Sequence, residues 1–300
     1  MKSDLFCFVN NIVIFTIIYY SIAQLSKVSL YGILNIFTVD LSEDVHENPT
    51  NYFILPNFAE KESQLLKNKL KIFFVQTSKN TDLLSRHACS IESAARLHPN
   101  GSIYVLMQSK YIHLKKGSFI HLRGYKNLHF VHFNEDDIYH GTSLMRLNQT
   151  KRKEFIHYFT ISHMSDLIRT ALLYKYGGIY FDLDVIPLKN FDRFVNTVAL
   201  ESNDAVNVAV LAFEKQHLAL DLQMDIQLES IGNSLCWNCI GPLALTKALK
   251  KVCDQEKLYI HKMNKCHHID IQPSFVFYPI AYQVSHLLPN SNCKIFFFSE

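Results

Sequence analysis

The sequence predicts an α/β fold of the Rossmann-like kind, with a mostly parallel central sheet. The continuous apolar run Ile72–Val75 is typical of a strand buried on both faces of such a sheet. A segment with helical periodicity, Cys89–Arg96, separates it from a second apolar run, Ile103–Met107. Together these segments indicate a β-α-β unit with parallel strands. Leu128–Phe133 is predicted to be a third strand because its residues alternate.

The composition is that of a packed domain. Hydrophobic residues make up 48% of the 300 residues, and glycines and prolines are few, which argues against a disordered chain. The length is enough for one large domain or two small ones. The formal net charge of +3 is too small to demand a polyanionic partner, and no basic run with interleaved aromatic residues occurs. We therefore expect no nucleic-acid partner.

Residues 162–189 are predicted to form a helix, a glycine break and a short strand. Apolar residues recur at helical spacing in the first part, and Ser162 is a candidate N-cap. Asp166 and Arg169 lie three positions apart, so they share one face of the helix, opposite the apolar face. Gly177–Gly178 is expected to end the helix, because glycine readily adopts the left-handed cap conformation.

The strand after the glycines is predicted to alternate. One face carries Tyr180, Asp182 and Asp184, and the other carries Ile179, Phe181 and Leu183. Pro187 lacks a backbone donor and is expected to end the strand. The Cα atoms of Asp182 and Asp184 would lie about 6.5–7 Å apart. This spacing suits a hard divalent cation held by one carboxylate, while the other acts directly or through water and ligand phosphates fill the open positions. The alternative is two edge-strand aspartates exposed to water.

The same segment carries a combined motif that is more specific than Asp-x-Asp alone. It reads Ser165-Asp166-x-x-Arg169 and then Tyr176-Gly177-Gly178-Ile179-Tyr180-x-Asp182-x-Asp184. This motif resembles the signature of the sugar-binding Asp-x-Asp glycosyltransferases and, within them, the α1,4-glycosyltransferase family. The resemblance implies a fold of the GT-A type and a retaining hexosyltransferase. Such an enzyme transfers a sugar from a UDP-sugar donor to a glycolipid or glycan acceptor in α1,4 linkage, with Mn²⁺ or Mg²⁺ as cofactor.

The resemblance also implies roles for individual residues. Asp182 and Asp184 would be the catalytic pair that holds the metal ion, which shields the charge that the departing UDP gains. Arg169 would add a cation near the diphosphate or sugar, and Asp166 would accept hydrogen bonds from sugar hydroxyls. The full set of implied donor-binding residues is Val75, Gln76, Thr77, Asp166, Arg169, Gly177, Gly178 and Tyr180. The implied acceptor side consists of Asn207, Trp237, Gly241 and Pro242. The alternative for the Asp166–Arg169 pair is an ion pair on the helix surface.

The chain departs from the family pattern at several positions. Ala205–Phe213 is predicted to be a strand, and within it Val208 stands where the family usually has glycine. In the loop before the predicted helix Leu243–Lys251, Asn238 replaces a glycine and Ile240 replaces an amide residue. The family's late His-x-Trp-Asn segment is absent, so the resemblance covers about residues 71–289. The alternative function is therefore a catalytically impaired Golgi pseudo-glycosyltransferase. A metal-dependent hydrolase using the two aspartates is a further rival.

The N-terminal region differs from the rest of the chain. Residues 1–25 are mostly apolar and are expected to be a transmembrane anchor or a cleaved signal segment. Residues 26–69 are expected to be a stem and residues 70–300 the glycosyltransferase domain. Within that domain, the sugar-binding region would span about 70–195, and an apparently truncated α1,4-glycosyltransferase region about 205–300. The resemblance implies a type II Golgi membrane protein with its catalytic domain in the lumen.

The cysteines and sequons agree with a secretory compartment. An even number of cysteines follows the apolar segment, which permits disulfides of undetermined connectivity. Cys253 and Cys266 resemble a cysteine pair of the family and are the implied disulfide. Cys236-x-x-Cys239 is expected to form a disulfide or buried thiols, with structural zinc as the alternative. Asn100 and Asn148 begin N-glycosylation sequons.

Overall fold

The computed structural model describes residues 52–65, 67, 70–113, 119–147, 160–202, 204–232, 236–258 and 266–278. The predicted anchor or signal segment, residues 1–25, lies outside these ranges, as does the first part of the predicted stem. None of the helices within them has the length and apolar character needed to span a bilayer.

A mixed sheet forms the centre of the fold. Its strands are β2 (Lys71–Gln76), β3 (Ser102–Met107), β5 (Leu128–His132), β6 (Gly178–Phe181), β7 (Thr197–Ser202), β8 (Ala205–Val206), β9 (Val210–Phe213) and β10 (Asp270–Gln272). The order is β10-β7-β9-β6-β2-β3-β5, and β8 pairs with β7. Strands β6, β2, β3 and β5 pair in parallel, as β10 does with β7, whereas β9 is antiparallel to both of its neighbours. Strands β1 (Tyr52–Ile54) and β4 (Tyr111–His113) form a separate antiparallel pair.

Helices cover both faces of this sheet. They are α1 (Phe58–Leu65), α2 (Ser85–Leu97), α3 (Phe119–Leu122), α4 (Glu135–Tyr139), α5 (Thr160–Tyr176), α6 (Leu218–Ser230), α7 (Pro242–Val252) and α8 (Ser274–Phe277), with a 3-10 helix at Ser143–Arg146. Alternate residues of β2 enter two different cores: Phe73 and Val75 pack with α5, α6 and α7, whereas Ile72 and Phe74 pack with α2, α3 and α8. The burial of both faces explains why β2 reads as one continuous apolar run. The architecture confirms the predicted α/β fold.

The predicted helix, glycine break and strand of the central segment are present, but their limits differ. Helix α5 begins at Thr160, so Ser162 lies inside the helix and is not its N-cap. Strand β6 ends at Phe181, not before Pro187. The strand stops early because Val185 donates its backbone N–H to Asp182 O (3.0 Å) and closes a turn.

Two further expectations need correction. The predicted strand Ala205–Phe213 is two strands, β8 and β9, because Asn207 Oδ1 accepts a hydrogen bond from Ala209 N (2.7 Å) and bends the chain between them. Residues 52–65 fall within the predicted stem, but Leu55 and Phe58 are buried, and the Phe58 ring packs edge-on against Tyr176. The globular part therefore begins before residue 70.

Candidate active site

The carboxyl end of β6 lies beside three other segments of the chain. Asp182 follows β6 and donates its backbone N–H to Ala209 O (2.8 Å), which belongs to the residue just before β9. Because β9 runs antiparallel to β6, the start of β9 and the end of β6 share one edge of the sheet. The first turn of α5 reaches the same edge, where Thr77 Oγ1 donates to Ile161 O (2.7 Å).

The side chain of Arg169, on α5, contacts several groups at this edge of the sheet. Its side chain is buried, and Nη2 lies 3.2 Å from Asp166 Oδ1 and 3.0 Å from Asp182 Oδ1. Nη1 donates to Val208 O (2.7 Å), and Nε donates to Ser165 O (3.3 Å). Because a guanidinium group presents its donors in a fixed planar fork, one side chain holds two carboxylates and two backbone segments in place. The Asp166–Arg169 pair is therefore buried and is not an ion pair on the helix surface.

Asp182 is held in place but remains partly exposed. Tyr180 OH donates to its Oδ1 (2.8 Å), and Ser165 Oγ lies 3.2 Å from that hydroxyl. Its Oδ2 makes a longer contact, 3.4 Å, with Arg169 Nη1, and the side chain is 28% exposed. Asp184 lies two residues further along, in the turn after β6, and is also partly exposed. The two carboxylates thus lie where a ligand can approach from solvent.

Burial shapes the charges of this cluster. It raises the pKa of Asp166 to about 7, an effect that Arg169 opposes and Asp182 reinforces. Burial acts to lower the pKa of Arg169, but Asp182, Tyr180 and Asp166 together raise it further, so the guanidinium stays charged. Burial also holds the pKa of Tyr180 well above its usual value, so its hydroxyl keeps the proton that it donates to Asp182.

The backbone just before β9 is fixed to the same cluster. Arg169 binds the carbonyl of Val208, and Tyr278 OH accepts a hydrogen bond from Val210 N (3.1 Å). Tyr278 is buried, and the sequence alone did not single it out as a site residue. Valine supplies the same carbonyl that glycine would, so the departure from the family pattern at Val208 leaves this contact intact.

A loop between α6 and α7, residues 236–241, closes over Asp166. A Cβ atom built on Gly241 would lie only 2.6 Å from Asp166 Oδ2, so glycine is required by this close approach. Gln227 of α6 is fully buried, and its Nε2 lies 2.9 Å from Ile240 O, 3.1 Å from Thr170 Oγ1 and 3.3 Å from Asp166 O. Sequence reasoning missed Gln227 because a glutamine within a helix carries no local signal of such a contact.

The other predicted donor-binding residues divide into two groups. Gln76 and Thr77 lie at the carboxyl end of β2, on the edge that holds Asp182; Gln76 Nε2 donates to Asp82 O (3.1 Å). The Gln76 Oε1 atom is buried and lacks a hydrogen-bond partner within the described part of the chain. A donor group of a bound ligand could therefore form a hydrogen bond to this oxygen. Val75 is buried in the apolar core, so its side chain does not face this edge.

Gly177 and Gly178 are not brought to this edge. Gly177 precedes β6 and Gly178 is its first residue, whereas Asp182 follows the strand, and a strand of that length separates Gly178 from Asp182 by about 13 Å. Both have positive φ angles, +61° and +119°, and a Cβ on Gly178 would lie within 2.4 Å of Lys71 O. Their role in this structure is to end α5 and to let β6 approach the start of β2.

The residues of the implied acceptor side lie around the 236–241 loop and β9. Trp237 is 58% exposed, whereas Gly241 is buried, and Pro242 begins α7, one residue before the predicted start of that helix. Asn207 stabilises the bend before β9 through its contact with Ala209 N. Ile240, which replaces the family's amide residue, is buried and contributes its carbonyl group to the Gln227 contact.

The four cysteines described in this half of the domain form two disulfides. Cys253 and Cys266 form the disulfide that the resemblance implied, with Cα atoms 5.1 Å apart. Cys236 and Cys239 form a second disulfide within the 236–241 loop, which leaves no thiolates there for zinc. Asn100 lies in an exposed turn, and Asn148 lies outside the described residues.

The donor set at the sheet edge fits a divalent cation. Within the described ranges, no group of three or more His, Cys, Asp or Glu side chains is arranged to hold a metal, so protein ligands alone do not complete a site. Two partly exposed carboxylates with room for further oxygen ligands are the donor set that Mg²⁺ and Mn²⁺ use when a substrate supplies phosphates. Asp182 and Asp184 are the residues that would hold such an ion.

Two family models match consecutive parts of the chain. Residues 85–203 match the glycosyltransferase sugar-binding region containing the DXD motif, and residues 212–290 match the alpha 1,4-glycosyltransferase conserved region. Lactosylceramide 4-alpha-galactosyltransferase of Mus musculus is 33% identical over 220 residues, which cover 71% of this chain and 59% of that protein. Alpha-1,4-N-acetylglucosaminyltransferase of Homo sapiens is 27% identical over 243 residues, which cover 77% of this chain and 69% of that protein.

The match to the galactosyltransferase is partial in length, since the chain spans about 59% of the mouse protein. Among solved structures, the PaToxG glycosyltransferase is 17% identical, with a TM-score of 0.45, and the match covers 65% of this chain and 75% of that one. The two matched regions meet in the candidate site: Asp166, Arg169 and Asp182 lie in the first, and Gln227 and Gly241 lie in the second.

Proposed function

We propose that the chain is a retaining UDP-sugar-dependent glycosyltransferase, because its residues 85–203 match the glycosyltransferase sugar-binding region containing the DXD motif and its residues 212–290 match the alpha 1,4-glycosyltransferase conserved region. It transfers a hexose or N-acetylhexosamine to a glycolipid or glycan in α1,4 linkage. The relatives' names support a galactose or N-acetylglucosamine donor and a role in glycosphingolipid synthesis.

One observation carries this proposal: the buried Arg169 fixes Asp166 and Asp182 at the carboxyl end of β6. Ligands of open α/β sheets bind at the carboxyl ends of the strands, which is where these side chains lie. Arg169 is buried and its guanidinium nitrogens contact protein groups, so its role is to set the positions of the two carboxylates and not to reach the diphosphate itself.

The residues of this edge have separable tasks. Asp182 and Asp184 hold a divalent cation, Mn²⁺ or Mg²⁺, which supplies Lewis-acid stabilisation of the diphosphate leaving group. Tyr180 donates to Asp182 Oδ1 and so helps to fix the orientation of that carboxylate. Asp166 faces the 236–241 loop and accepts hydrogen bonds from hydroxyl groups of the bound sugar. Gln76, whose Oε1 has no hydrogen-bond partner among the described residues, accepts a hydrogen bond from the nucleotide sugar.

The family and the relatives also support a cellular context. We propose a Golgi membrane protein of type II topology, with residues 1–25 as the membrane segment and the described domain in the lumen. An oxidising lumen is consistent with the two disulfides, Cys236–Cys239 and Cys253–Cys266.

A donor screen on the full chain in detergent tests the activity. We expect release of UDP from one UDP-sugar with Mn²⁺ present and transfer to a lactosylceramide or glycan acceptor. Asp184→Asn removes a proposed cation ligand, so we expect it to lower turnover by at least about 100-fold and to weaken Mn²⁺ binding measured by electron paramagnetic resonance. Its thermal stability without metal is expected to stay within about 0.5 kcal/mol of the wild type.

The matched control is Asp192→Asn. Asp192 is exposed and accepts a hydrogen bond from Asn190, which itself contacts Leu97 O near the end of α2, away from the candidate site. The control is expected to keep full turnover and Mn²⁺ binding. A folded wild-type chain that releases UDP from none of the UDP-sugars would contradict the enzyme assignment and favour a non-catalytic member of the family.

A further inference from the structure

A cavity between helices α6 and α7 borders one of the two disulfides. Its volume is about 590 Å³, which is within the range of protein pockets that hold small molecules. Asp166 and Asp182 do not line it, so it is separate from the candidate active site. The residues that line it include one cysteine of the 236–241 loop and charged residues of both helices, namely Cys239, Glu229, Lys247, Lys250 and Lys251.

The lining of this cavity carries an excess of positive charge. Lys250 Nζ is paired with Asp204 Oδ2 (2.5 Å), so its charge is balanced within the protein. Lys247 and Lys251 are exposed and lie four positions apart, so they project from the same face of α7. Among the described residues that line the cavity, Glu229 is the one with an acidic side chain. Two ammonium groups therefore face one carboxylate, and the lining favours an anionic ligand.

The two disulfides of this region differ in their exposure to solvent. Cys236 and Cys239 are both partly exposed, and the two residues between them are exposed. Cys266 is 3% exposed and lies in the apolar core, and Cys253 packs against the same core. Thiol–disulfide exchange begins when a thiolate reaches a sulfur atom, so a partly exposed disulfide exchanges faster than a buried one. Nearby ammonium groups favour the step further, because they stabilise the cysteine thiolate that leaves.

We propose that this cavity binds small thiols that carry a carboxylate group, and that such a thiol opens the Cys236–Cys239 disulfide. The ligand's carboxylate binds Lys247 and Lys251, and its thiolate attacks the sulfur of Cys239, the cysteine that lines the cavity. A bond forms between the ligand sulfur and Cys239 Sγ, the Cys236–Cys239 bond breaks, and Cys236 leaves as a thiolate with the electron pair of that bond. A second thiolate then attacks the ligand sulfur, releases Cys239 as a thiolate and departs as the small-molecule disulfide. The cysteine pair gains two electrons, and the two small thiols lose them.

Opening of this disulfide acts on the 236–241 loop and on its contact with α5. The loop is held to α5 by noncovalent contacts as well, since His163 Nε2 donates to Trp237 O (2.9 Å). Gly241, at the end of the loop, lies against the Asp166 carboxylate. A disulfide restricts the conformations of the segment that it closes. Its loss therefore gives the first four residues of the loop more freedom and loosens the segment that packs on Asp166.

A labelling experiment on the full chain in detergent measures the exchange. Free thiols are first blocked with N-ethylmaleimide, the chain is treated with N-acetylcysteine, and the newly released cysteines are quantified by mass spectrometry with isotope-labelled N-ethylmaleimide. We expect Cys236 and Cys239 to be released at least about 10-fold faster than Cys253 and Cys266, and the first N-acetylcysteine adduct to form on Cys239. Equal release rates for the two disulfides, or a first adduct on Cys236 instead, would overturn the proposal.

The charge of the reductant tests the binding site itself. N-acetylcysteine and its neutral amide differ in the carboxylate, and their exchange rates are compared per thiolate. At low salt we expect the carboxylate form to react at least about 3-fold faster with the Cys236–Cys239 disulfide of the wild type. We expect this ratio to fall to about 1 when Lys247→Gln and Lys251→Gln are combined. The control, Lys126→Gln, changes an exposed lysine that does not line the cavity and is expected to keep the wild-type ratio. The same ratio in all three proteins would show that the lysines bind no carboxylate.

Fluorescence reports the loosening of the loop without any need for catalysis. Trp237 lies between the two cysteines and is the one tryptophan in the sequence. We expect N-acetylcysteine to increase the quenching of its fluorescence by acrylamide. The combined Cys236→Ser and Cys239→Ser variant is expected to show the increased quenching without the thiol and no further increase with it, which excludes a contribution from the other disulfide. Quenching that stays the same when the disulfide opens would overturn the effect on the loop.

An activity measurement tests the link to Asp166, and this step alone rests on the glycosyltransferase function proposed above. We expect N-acetylcysteine to lower the turnover of the UDP-sugar, and oxidised glutathione to restore it by closing the disulfide again. An active chain whose turnover is the same with the disulfide open and closed would overturn the link. A chain that turns over no UDP-sugar would count against the proposed function, whereas the labelling and fluorescence results would still decide whether the cavity binds and reacts with thiols.

Discussion

Replacement of Gly241 by alanine tests the contact between the two matched regions of the chain. The added Cβ would lie 2.6 Å from Asp166 Oδ2 and 2.7 Å from Cγ and Oδ1. An ordinary contact begins near 3.4 Å, so the carboxylate or the loop has to move by about 0.8 Å. The φ angle of Gly241 is −95°, outside the left-handed region that favours glycine.

The Asp166 carboxylate has little freedom to move away. It is 6% exposed and lies 3.2 Å from Arg169 Nη2, so a shift away from Gly241 disturbs the buried ion pair. Added volume in a packed interior costs about 1–3 kcal/mol of unfolding free energy. A displacement near 1 Å in a positioning group lowers turnover by about 100-fold. We expect Gly241→Ala to show both losses, the first in urea unfolding and the second in transfer assays.

Gly124→Ala provides the control for this experiment. Gly124 is exposed, and a Cβ on it would meet nothing within 4 Å, so its unfolding free energy is expected to stay within about 0.5 kcal/mol of the wild type. If Gly241→Ala is as stable and as active as Gly124→Ala, then the loop does not lie against Asp166. The arrangement of the site derived from that contact would be wrong.

Two further variants test the buried charges. Arg169→Lys replaces a planar fork of donors by one ammonium group and leaves several of the partners of Arg169 unsatisfied, so we expect it to lower the free energy of unfolding in urea by about 3–5 kcal/mol. The control, Arg146→Lys, changes an exposed pair with Asp225 and is expected to lower this free energy by less than about 1 kcal/mol. Equal losses in the two variants would contradict the burial argument. For His87, burial, aided by Arg86, lowers the pKa to about 4. The unfolded chain therefore gains a proton at this residue near pH 6.5, whereas the folded chain gains it only near pH 4, so stability is lost as pH falls through that window, by up to about 3 kcal/mol. We expect His87→Gln to flatten the profile of melting temperature against pH and the exposed His121→Gln to leave that profile unchanged.

Local patterns in the sequence predicted most of the sheet and its helices. The run Ile72–Val75 is buried on both faces, so it carries a signal that does not depend on distant residues. The Gly177–Gly178 break is likewise local, because the end of α5 requires positive φ angles there. The early end of β6 was not predicted, since the turn that closes at Val185 competes with the alternation of residues 179–184.

The site was predicted in part for the same physical reason. Asp166, Arg169 and Asp182 were identified from their spacing within one helix and one strand, and the structure brings all three together. The burial of Arg169 was not evident, because an i,i+3 pair has the same sequence pattern on a surface and in a core. Gln227 lies 61 residues from Asp166 in the chain, and a contact over that distance depends on how α5 and α6 pack.

Helix α5, which packs against α6, contacts both parts of the candidate site. Helix α5 carries both Arg169, which binds Asp182 at the end of β6, and Asp166, which meets the 236–241 loop. A displacement of α5 along its axis would therefore move the proposed cation-holding edge and the 236–241 loop together. The buried amide of Gln227 contributes to this coupling, since its Nε2 contacts Ile240 O in the loop and Asp166 O on α5. Effects of Gly241→Ala and Gln227→Met should consequently not add, because both disturb the same contact between the loop and α5.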